Sequence, residues 1–201
     1  MAEVKKLGIL PIVLTPFDKN EELNTERLGQ EIDWVVEKLA GHRAVLLFYG
    51  SMGAYMDLNE AERIKAFEAA VVHTKGRYPV MLGVSDANQT RRESVRYARA
   101  AKDAGADMLL LKTPNHLSTA GQAGAAREKV RTEVFEYFRA VHDAVDIPIC
   151  VYNTGAIQDA QIFADLAEKG YIQYLKECVQ TPNRFDHLAS LTDKLHCWMC
   201  R

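Results

Sequence analysis

A lysine stands where it could do covalent chemistry. Lys176 follows the apolar pair Tyr174-Leu175 at the carboxyl end of a predicted strand. Such a side chain either extends outward to water or points into the mouth of a parallel α/β fold. In the second case burial lowers the pKa of the amine, and the neutral amine can form a Schiff base with a ketone. Another strand ends at Tyr152, which on the residues alone would be a core position by default. The residues alone leave both questions open.

A second candidate is a turn bounded by two glycines. The segment Gly50-Ser51-Met52-Gly53 follows a predicted strand and leads toward a helix. Backbone N–H groups in such a turn can bind a carboxylate or a phosphate. An ordinary tight turn between a strand and a helix has the same pattern, so the spacing alone does not decide.

Short apolar runs alternate with longer stretches of helical periodicity, and together they predict seven strands separated by six helices. The predicted strands span 7–14, 44–49, 79–83, 107–111, 147–152, 172–176 and the residues from 195, and the predicted helices span 24–39, 59–73, 90–104, 126–145, 159–168 and 183–193, with a loop at 115–126. Apolar strands between helices indicate a parallel sheet covered on both faces.

Two architectures fit this alternation, an open doubly wound sheet and a (β/α)8 barrel. An open sheet that binds a dinucleotide normally has a glycine-rich turn after its first strand. Here the first strand ends in Leu14-Thr-Pro-Phe-Asp18, without glycine, and the chain has no P-loop. The sequence therefore disfavours an open-sheet dehydrogenase.

The composition is that of a globular protein. The chain has 201 residues with 25 Lys+Arg and 27 Asp+Glu, a formal net charge of −2, and 48% hydrophobic residues. This balance predicts neither a nucleic-acid nor a membrane partner. No apolar run approaches the roughly 20 residues that span a bilayer. We see no signal-peptide pattern at the start, and we expect one cytoplasmic domain over residues 1–201.

The four cysteines are interpreted as buried free thiols. Three of them, Cys150, Cys178 and Cys197, lie in apolar, strand-like surroundings. Cys197 and Cys200 have the spacing of a redox or zinc half-site, but the second pair of ligands that a zinc site requires is missing from the sequence.

Several motifs, taken in order, resemble the dihydrodipicolinate synthase / N-acetylneuraminate lyase family of pyruvate-dependent class I aldolases. The matching segments are Leu14-Thr-Pro-Phe-Asp18, Gly50-Ser-Met-Gly53 followed by Leu58-Asn-Glu-Ala-Glu-Arg63, Gly83 with Asn88-Gln-Thr90, Ala104-Gly-Ala-Asp107, Tyr152-Asn153 and Tyr174-Leu-Lys-Glu177. The resemblance runs through essentially the whole chain. It implies a (β/α)8 TIM barrel.

The resemblance also implies a mechanism. Lys176 would form an imine with the keto group of pyruvate or another 2-keto acid, so that a C–C bond can break or form. Tyr152 would act as the general acid and base. The implied partners are pyruvate and an aldehyde, in a homo-oligomer that is a dimer or a tetramer. No metal ion and no external cofactor are implied, because the intermediate is the covalent Schiff base on Lys176.

The same resemblance assigns substrate binding to residues at other strand ends. Ser51 would supply a hydroxyl and backbone donors to the pyruvate carboxylate, and Met52 its backbone N–H, on the turn that Gly50 begins. Thr15 is a further member of this set. His116 stands where the synthases have a tyrosine, and it could replace that tyrosine as a substrate-binding donor or be an ordinary loop histidine.

Some positions depart from the family pattern. Met52 replaces a second hydroxyl residue, Ala54 replaces a glutamate, and Asn115 and His116 follow Thr113-Pro114 where synthases have tyrosines. The usual proline and the downstream arginine after Tyr152-Asn153 are also missing. These departures argue against a standard dihydrodipicolinate synthase, and favour an aldolase, lyase or dehydratase with a different second substrate, or a decayed site.

The length is the largest departure. A (β/α)8 barrel typically needs about 250 residues, so the sequence predicts an incomplete barrel of about six βα units and the start of strand seven. The alternative to a catalyst is then a truncated, non-catalytic paralogue that acts as an interaction or regulatory subunit.

Overall fold

The computed structural model describes residues 8–179, 182–190 and 195–199. Strands and helices alternate along the described chain. In order they are β1 (Ile12–Val13), α1 (Thr25–Lys38), β2 (Leu46–Phe48), α2 (Glu60–Thr74), β3 (Val80–Gly83), α3 (Arg91–Asp103), β4 (Met108–Lys112), α4 (Gly124–Ala144), β5 (Ile149–Asn153), α5 (Gln161–Glu168), β6 (Tyr174–Glu177), α6 (Pro182–Ala189) and β7 (His196–Met199). The predicted seven strands and six helices are confirmed.

The strand order decides between the two predicted architectures. Hydrogen-bonded neighbours follow the order of the chain from β1 to β7, and the pairings of β1 to β4 and of β5 to β7 are parallel. A doubly wound sheet reverses its strand order at a switch point, whereas a (β/α)8 barrel adds every strand on the same side. The described residues therefore hold seven of the eight strands of a barrel, as the sequence predicted.

The chain divides into two compact units, which we name by position. The N-terminal unit comprises Leu7–Val84 and Arg96–Leu110, and the C-terminal unit comprises Ser85–Val95 with the described residues from Leu111 onward. The single domain predicted from the sequence remains a prediction.

The N-terminal unit is built around β1, β2 and β3. Leu47 pairs with Ile12 on one side and with Met81 on the other. Helix α1 begins after Asn24, whose side chain accepts a hydrogen bond from the Arg27 backbone N–H at 2.9 Å. Fully buried side chains of the unit include Leu28, Ile32, Phe48 and Phe67. Burial of each such side chain contributes about 1.5–3 kcal/mol to the stability of the fold.

Strands β5, β6 and β7 form the sheet of the C-terminal unit. Tyr152 lies opposite Lys176, and Lys176 lies opposite Trp198. Because side chains of paired residues project from the same face of a sheet, these three share one face. Helices α4 and α5 cover this unit with buried residues such as Phe138 and Phe163.

Several predicted boundaries shift. The first strand is limited to Ile12–Val13, with one further bridge between Ile9 and Ala44. Pro11 has no N–H to donate, which interrupts the ladder. Strand β5 begins after Pro148 for the same reason. The predicted loop contains a 3-10 turn at Asn115–Leu117, and α6 ends at Ala189; residues 191–193 of its predicted extent lie outside the described residues.

Candidate active site

Lys176 lies on β6 with its side chain directed at Tyr152. The residue is 7% exposed, and all four residues of β6 are buried. Its Nζ atom lies 4.0 Å from the centre of the Tyr152 ring. The two strands place these residues opposite each other in register. The structure therefore brings together the two residues that the sequence predicted to be catalytic.

Burial lowers the pKa of Lys176 below its ordinary value of 10.5, and a smaller, opposing contribution comes from Cys150. Aromatic side chains lie on the same face of β6 and β7 as Lys176. Trp198, opposite Lys176 on β7, is 8% exposed and stacks on Tyr174 with ring centres 5.5 Å apart. His196 packs edge-on against Trp198 at 4.7 Å. In such surroundings a larger fraction of the amine is neutral, and the neutral amine is the form that attacks a carbonyl carbon.

A buried ion pair adjoins the lysine. Glu177 is fully buried, and its Oε2 accepts hydrogen bonds from Nε and Nη2 of Arg184 at 3.0 and 2.8 Å. Asn153 Nδ2 donates to both carboxylate oxygens, and the Val179 backbone N–H donates to Oε1. Every partner is supplied by the protein, which is the condition under which a buried charge is stable.

The same ion pair holds the loop that follows β5. Arg184 donates through Nη2 to the Ile157 carbonyl at 3.0 Å and through Nη1 to the Gln158 carbonyl. Asn153 Oδ1 accepts from the backbone N–H groups of Gly155 and Ile157, each at 3.2 Å. Tyr152 and Lys176 immediately precede the two strand-end members of this network. The network therefore fixes the backbone on which both candidate catalytic residues lie.

The turn at residues 50–53 belongs to the N-terminal unit and is shaped by backbone strain. Tyr49 and Ala54, which flank it, both have a φ of 56°. Non-glycine residues seldom adopt this left-handed conformation, and it persists only where surrounding contacts enforce it. Tyr49 is anchored by a 2.7 Å hydrogen bond from its hydroxyl to the Ala66 carbonyl. Gly83 allows the approach: a Cβ there would lie 2.0 Å from the Tyr49 carbonyl oxygen.

Four predicted substrate-binding residues lie together at this turn. The Gly53 N–H donates to the Gly50 carbonyl at 2.8 Å, which closes the turn. Thr15 donates its hydroxyl proton to the Gly53 carbonyl at 2.5 Å. Within the described chain, the backbone N–H groups of Ser51 and Met52 and the Ser51 hydroxyl have no hydrogen-bond partner. The turn thus has three groups that could donate hydrogen bonds to a carboxylate, and Thr15 binds the carbonyl of its last residue, Gly53.

His116 is the remaining residue of the predicted substrate-binding set. It is exposed on the short turn Asn115–Leu117. Its assignment to substrate binding remains a prediction.

The free-thiol interpretation holds for two cysteines and is wrong for a third. Cys150 is free and fully buried, and burial raises the pKa of its thiol. Cys197 is free and half-buried, with its pKa raised to about 11 by burial and then by Glu177. Cys178 is disulfide-bonded; apolar flanking residues indicate burial but do not reveal a bridge. Cys200 lies outside the described residues.

Sequence reasoning missed two residues at this end of the C-terminal unit. Lys112, the last residue of β4, has its Nζ 5.9 Å from the centre of the Tyr152 ring. Arg184 holds Glu177, as described above. The signal for Lys112 was its position at a strand end, like that of Lys176. The sequence around Arg184 contains no comparable signal, because its partners come from other elements.

Metal-binding clusters and membrane-spanning helices are both absent from the described residues. These residues contain no cluster of three or more histidine, cysteine, aspartate or glutamate side chains that could hold a metal ion. Nor do they include a helix with the length and apolarity required to cross a membrane.

The chain belongs to the dihydrodipicolinate synthetase family, whose model matches residues 5–200. A 4-hydroxy-tetrahydrodipicolinate synthase of Methanosphaerula palustris is 29% identical over 174 residues, which cover 85% of this chain and 55% of that protein. A Rhizobium meliloti protein named as an uncharacterized DapA-like lyase is 30% identical and is matched over 91% of this chain and 56% of its own length. The chain thus spans little more than half the length of these relatives.

Solved structures confirm the fold. The E. coli prophage protein YagE, crystallised with pyruvate, superposes with a TM-score of 0.81 at 23% identity, covering 96% of this chain and 63% of that one. Dihydrodipicolinate synthase from Aquifex aeolicus superposes with a TM-score of 0.78 at 26% identity, covering 96% and 62%. The incomplete TIM barrel predicted from the sequence agrees with both.

Proposed function

We propose that this protein is a lyase that forms a Schiff base between Lys176 and a 2-keto acid, with pyruvate as the simplest substrate. The observation that carries the proposal is the buried Lys176 amine, whose pKa is lowered, 4.0 Å from the Tyr152 ring. Family membership supports the same class of chemistry, since relatives are named as synthases and lyases of this family. YagE, which shares the fold, was crystallised in complex with pyruvate.

The proposed reaction begins with attack of the neutral Lys176 Nζ on the keto carbon. A C–N bond forms, and the keto oxygen leaves as water after two proton transfers. The resulting protonated imine withdraws electrons, so that the bond between C3 and C4 of a longer substrate can break, or the enamine of pyruvate can attack an aldehyde carbon. Tyr152 would give a proton to the departing oxygen and exchange one with the aldehyde oxygen.

The 50–53 turn is proposed to bind a carboxylate. Two backbone N–H groups and the Ser51 hydroxyl lie on this turn without partners in the described part of the chain, and donors held in place on a turn suit an anion. Met52 contributes its backbone N–H in this role. A thioether cannot relay a proton as a hydroxyl could, but the backbone donors for the anion are retained. Thr15 and Gly50 keep the turn in shape.

The test is reductive trapping of the folded chain with pyruvate. Sodium borohydride delivers hydride to the imine carbon and converts the adduct into a stable secondary amine, which peptide mass spectrometry then locates. We expect the adduct on Lys176 and none in Lys176→Arg, whose folded state is checked by circular dichroism. No adduct in a folded wild-type chain, or an adduct on another lysine such as Lys112, would contradict the proposal. The first of these results would favour the non-catalytic paralogue.

A further inference from the structure

A second amine faces Tyr152 from the opposite neighbour of β5. Lys112 is the last residue of β4, and its Nζ lies 5.9 Å from the centre of the Tyr152 ring, whereas Lys176 Nζ lies 4.0 Å from the same point. The two amino groups are therefore no farther apart than the sum of these distances. In a barrel, the carboxyl ends of the strands are where substrates bind. Two lysine amino groups therefore lie near one tyrosine ring at the proposed catalytic end.

Hydrogen bonds hold the backbone of Lys112, whereas its amino group forms no ion pair among the described residues. The Lys112 N–H donates to Ser85 Oγ at 2.8 Å, and the Ser85 hydroxyl donates to the Lys112 carbonyl at 3.1 Å. The buried Tyr137 hydroxyl contacts the same carbonyl at 3.4 Å. Lys112 takes part in none of the ion pairs among the described residues. The side chain is half-buried, so an anion that reached it would be partly shielded from water.

The one acidic residue of β6 is already committed to other partners. Glu177 is fully buried, and its two oxygens are already occupied by Arg184, Asn153 and the Val179 N–H. The ammonium of Lys112 therefore remains without an acidic side chain within ion-pair distance among the described residues. A half-buried cation in this position is a ready partner for an anionic ligand.

We propose that Lys112 binds a second anionic group of the substrate, so that this protein takes 2-keto acids that carry a further carboxylate beyond the keto carbon. The inference builds on the proposed function, since it assumes that the keto group is held on Lys176. It assigns the substrate class through a residue that the catalytic mechanism does not use. Lys112 would determine the substrate specificity of the site. Pyruvate has one carboxylate and would not bind to Lys112.

The experiment compares two keto acids on the wild-type chain and on variants of Lys112. Borohydride trapping on Lys176 is measured as a function of the concentration of pyruvate and of 2-oxoglutarate, whose second carboxylate lies two methylene groups beyond the keto carbon. In Lys112→Gln we expect the half-saturating concentration of 2-oxoglutarate to rise about tenfold or more, because a charge-assisted contact is lost. We expect that of pyruvate to change by less than about twofold.

Two control variants separate binding from other effects. Lys112→Arg keeps the charge and should retain the preference for 2-oxoglutarate. Lys129→Gln removes an equal charge from the exposed surface of α4 and should leave both keto acids unaffected, which excludes a general effect of net charge.

The outcomes distinguish the two proposals. If the wild-type chain traps neither keto acid on Lys176, the proposed function fails and the Lys112 inference fails with it. If it traps pyruvate but not 2-oxoglutarate, or if Lys112→Gln weakens both equally or neither, only the Lys112 inference is overturned.

Discussion

The two regions that carry the candidate chemistry are held in shape by different means. The 50–53 turn is set by main-chain conformation, with left-handed Tyr49 and Ala54 on its flanks and Gly83 against it. Its outward side chains are exposed, and Met52 is 72% exposed. The end of β5 and β6 is set by side chains, through the buried contact of Arg184 with Glu177.

This difference bears on two of the departures from the family pattern, Met52 and Ala54. Other departures, such as the missing proline and arginine after Tyr152-Asn153, fall in the C-terminal unit. Met52 and Ala54, which replace a hydroxyl residue and a glutamate, belong to the region where the backbone provides both shape and donors. The pairs that match the family motifs, Tyr152-Asn153 and Lys176-Glu177, lie at the end of β5 and β6. There the side chains provide both the shape of the site and its functional groups. A side chain can change in the first region at little cost, whereas in the second each change leaves a buried group without its partner.

The largest expected effect comes from breaking the buried ion pair. Arg184→Met should lower the free energy of unfolding by about 3–5 kcal/mol, because the carboxylate of Glu177 is left buried and uncompensated. Urea denaturation of the purified chain measures it.

The matched control is the exposed pair of Arg127 with Asp159, whose side chains are 48% and 30% exposed. Arg127→Met should cost at most about 1 kcal/mol. Equal losses in the two variants would show that the side-chain network at the end of β5 and β6 has no special role in stability.

A methyl group added at Gly83, against the 50–53 turn, should have the next largest effect on stability. Gly83→Ala would place a Cβ 2.0 Å from the Tyr49 carbonyl oxygen. We expect a loss of about 1–3 kcal/mol in the free energy of unfolding, because the strained turn must move.

Gly50→Ala is the control within the same turn. A Cβ there would meet carbons of Leu110 and Leu47 at 3.7 and 3.8 Å, which is ordinary contact. Its stability should be unchanged or raised by up to about 1 kcal/mol, since alanine restricts the unfolded chain. If Gly50→Ala were the more damaging of the two, the close approach at Gly83 would not be what shapes the turn.

The smallest expected effect is at Met52. Because its side chain is exposed, Met52→Thr should change the free energy of unfolding by no more than about 0.5 kcal/mol. The half-saturating concentration of pyruvate in trapping should shift by less than about threefold, because the backbone N–H is retained. A tenfold gain in this assay would show instead that the missing hydroxyl, and not the backbone, limits the turn.

The sequence predicted the parts of the fold that depend on local patterns. Alternation of apolar strands with helical periodicity predicted the order of elements, and Asn24 and Asn59 were predicted as the starts of helices that they cap. The proximity of Tyr152 to Lys176 followed from the family motifs and from parallel strands, whose ends lie side by side.

The rest depends on contacts between distant segments. Arg184 gains its role only from carbonyls of the loop after β5, and the bridge at Cys178 has no local signature. Lys112 ends an apolar strand, a position in which a lysine more often extends into water. Only the three-dimensional arrangement shows that its amino group lies beside Tyr152.

The central claim is that burial in the C-terminal unit makes Lys176 a nucleophile, and the pH dependence of trapping tests it directly. Folding lowers the pKa of Lys176, so its neutral fraction should rise at lower pH than that of an exposed lysine. The rate of borohydride-trapped pyruvate adduct formation on Lys176 should therefore increase through a midpoint below 10.5 and level off above it. A midpoint at or above 10.5, measured on the folded chain, would contradict the claim.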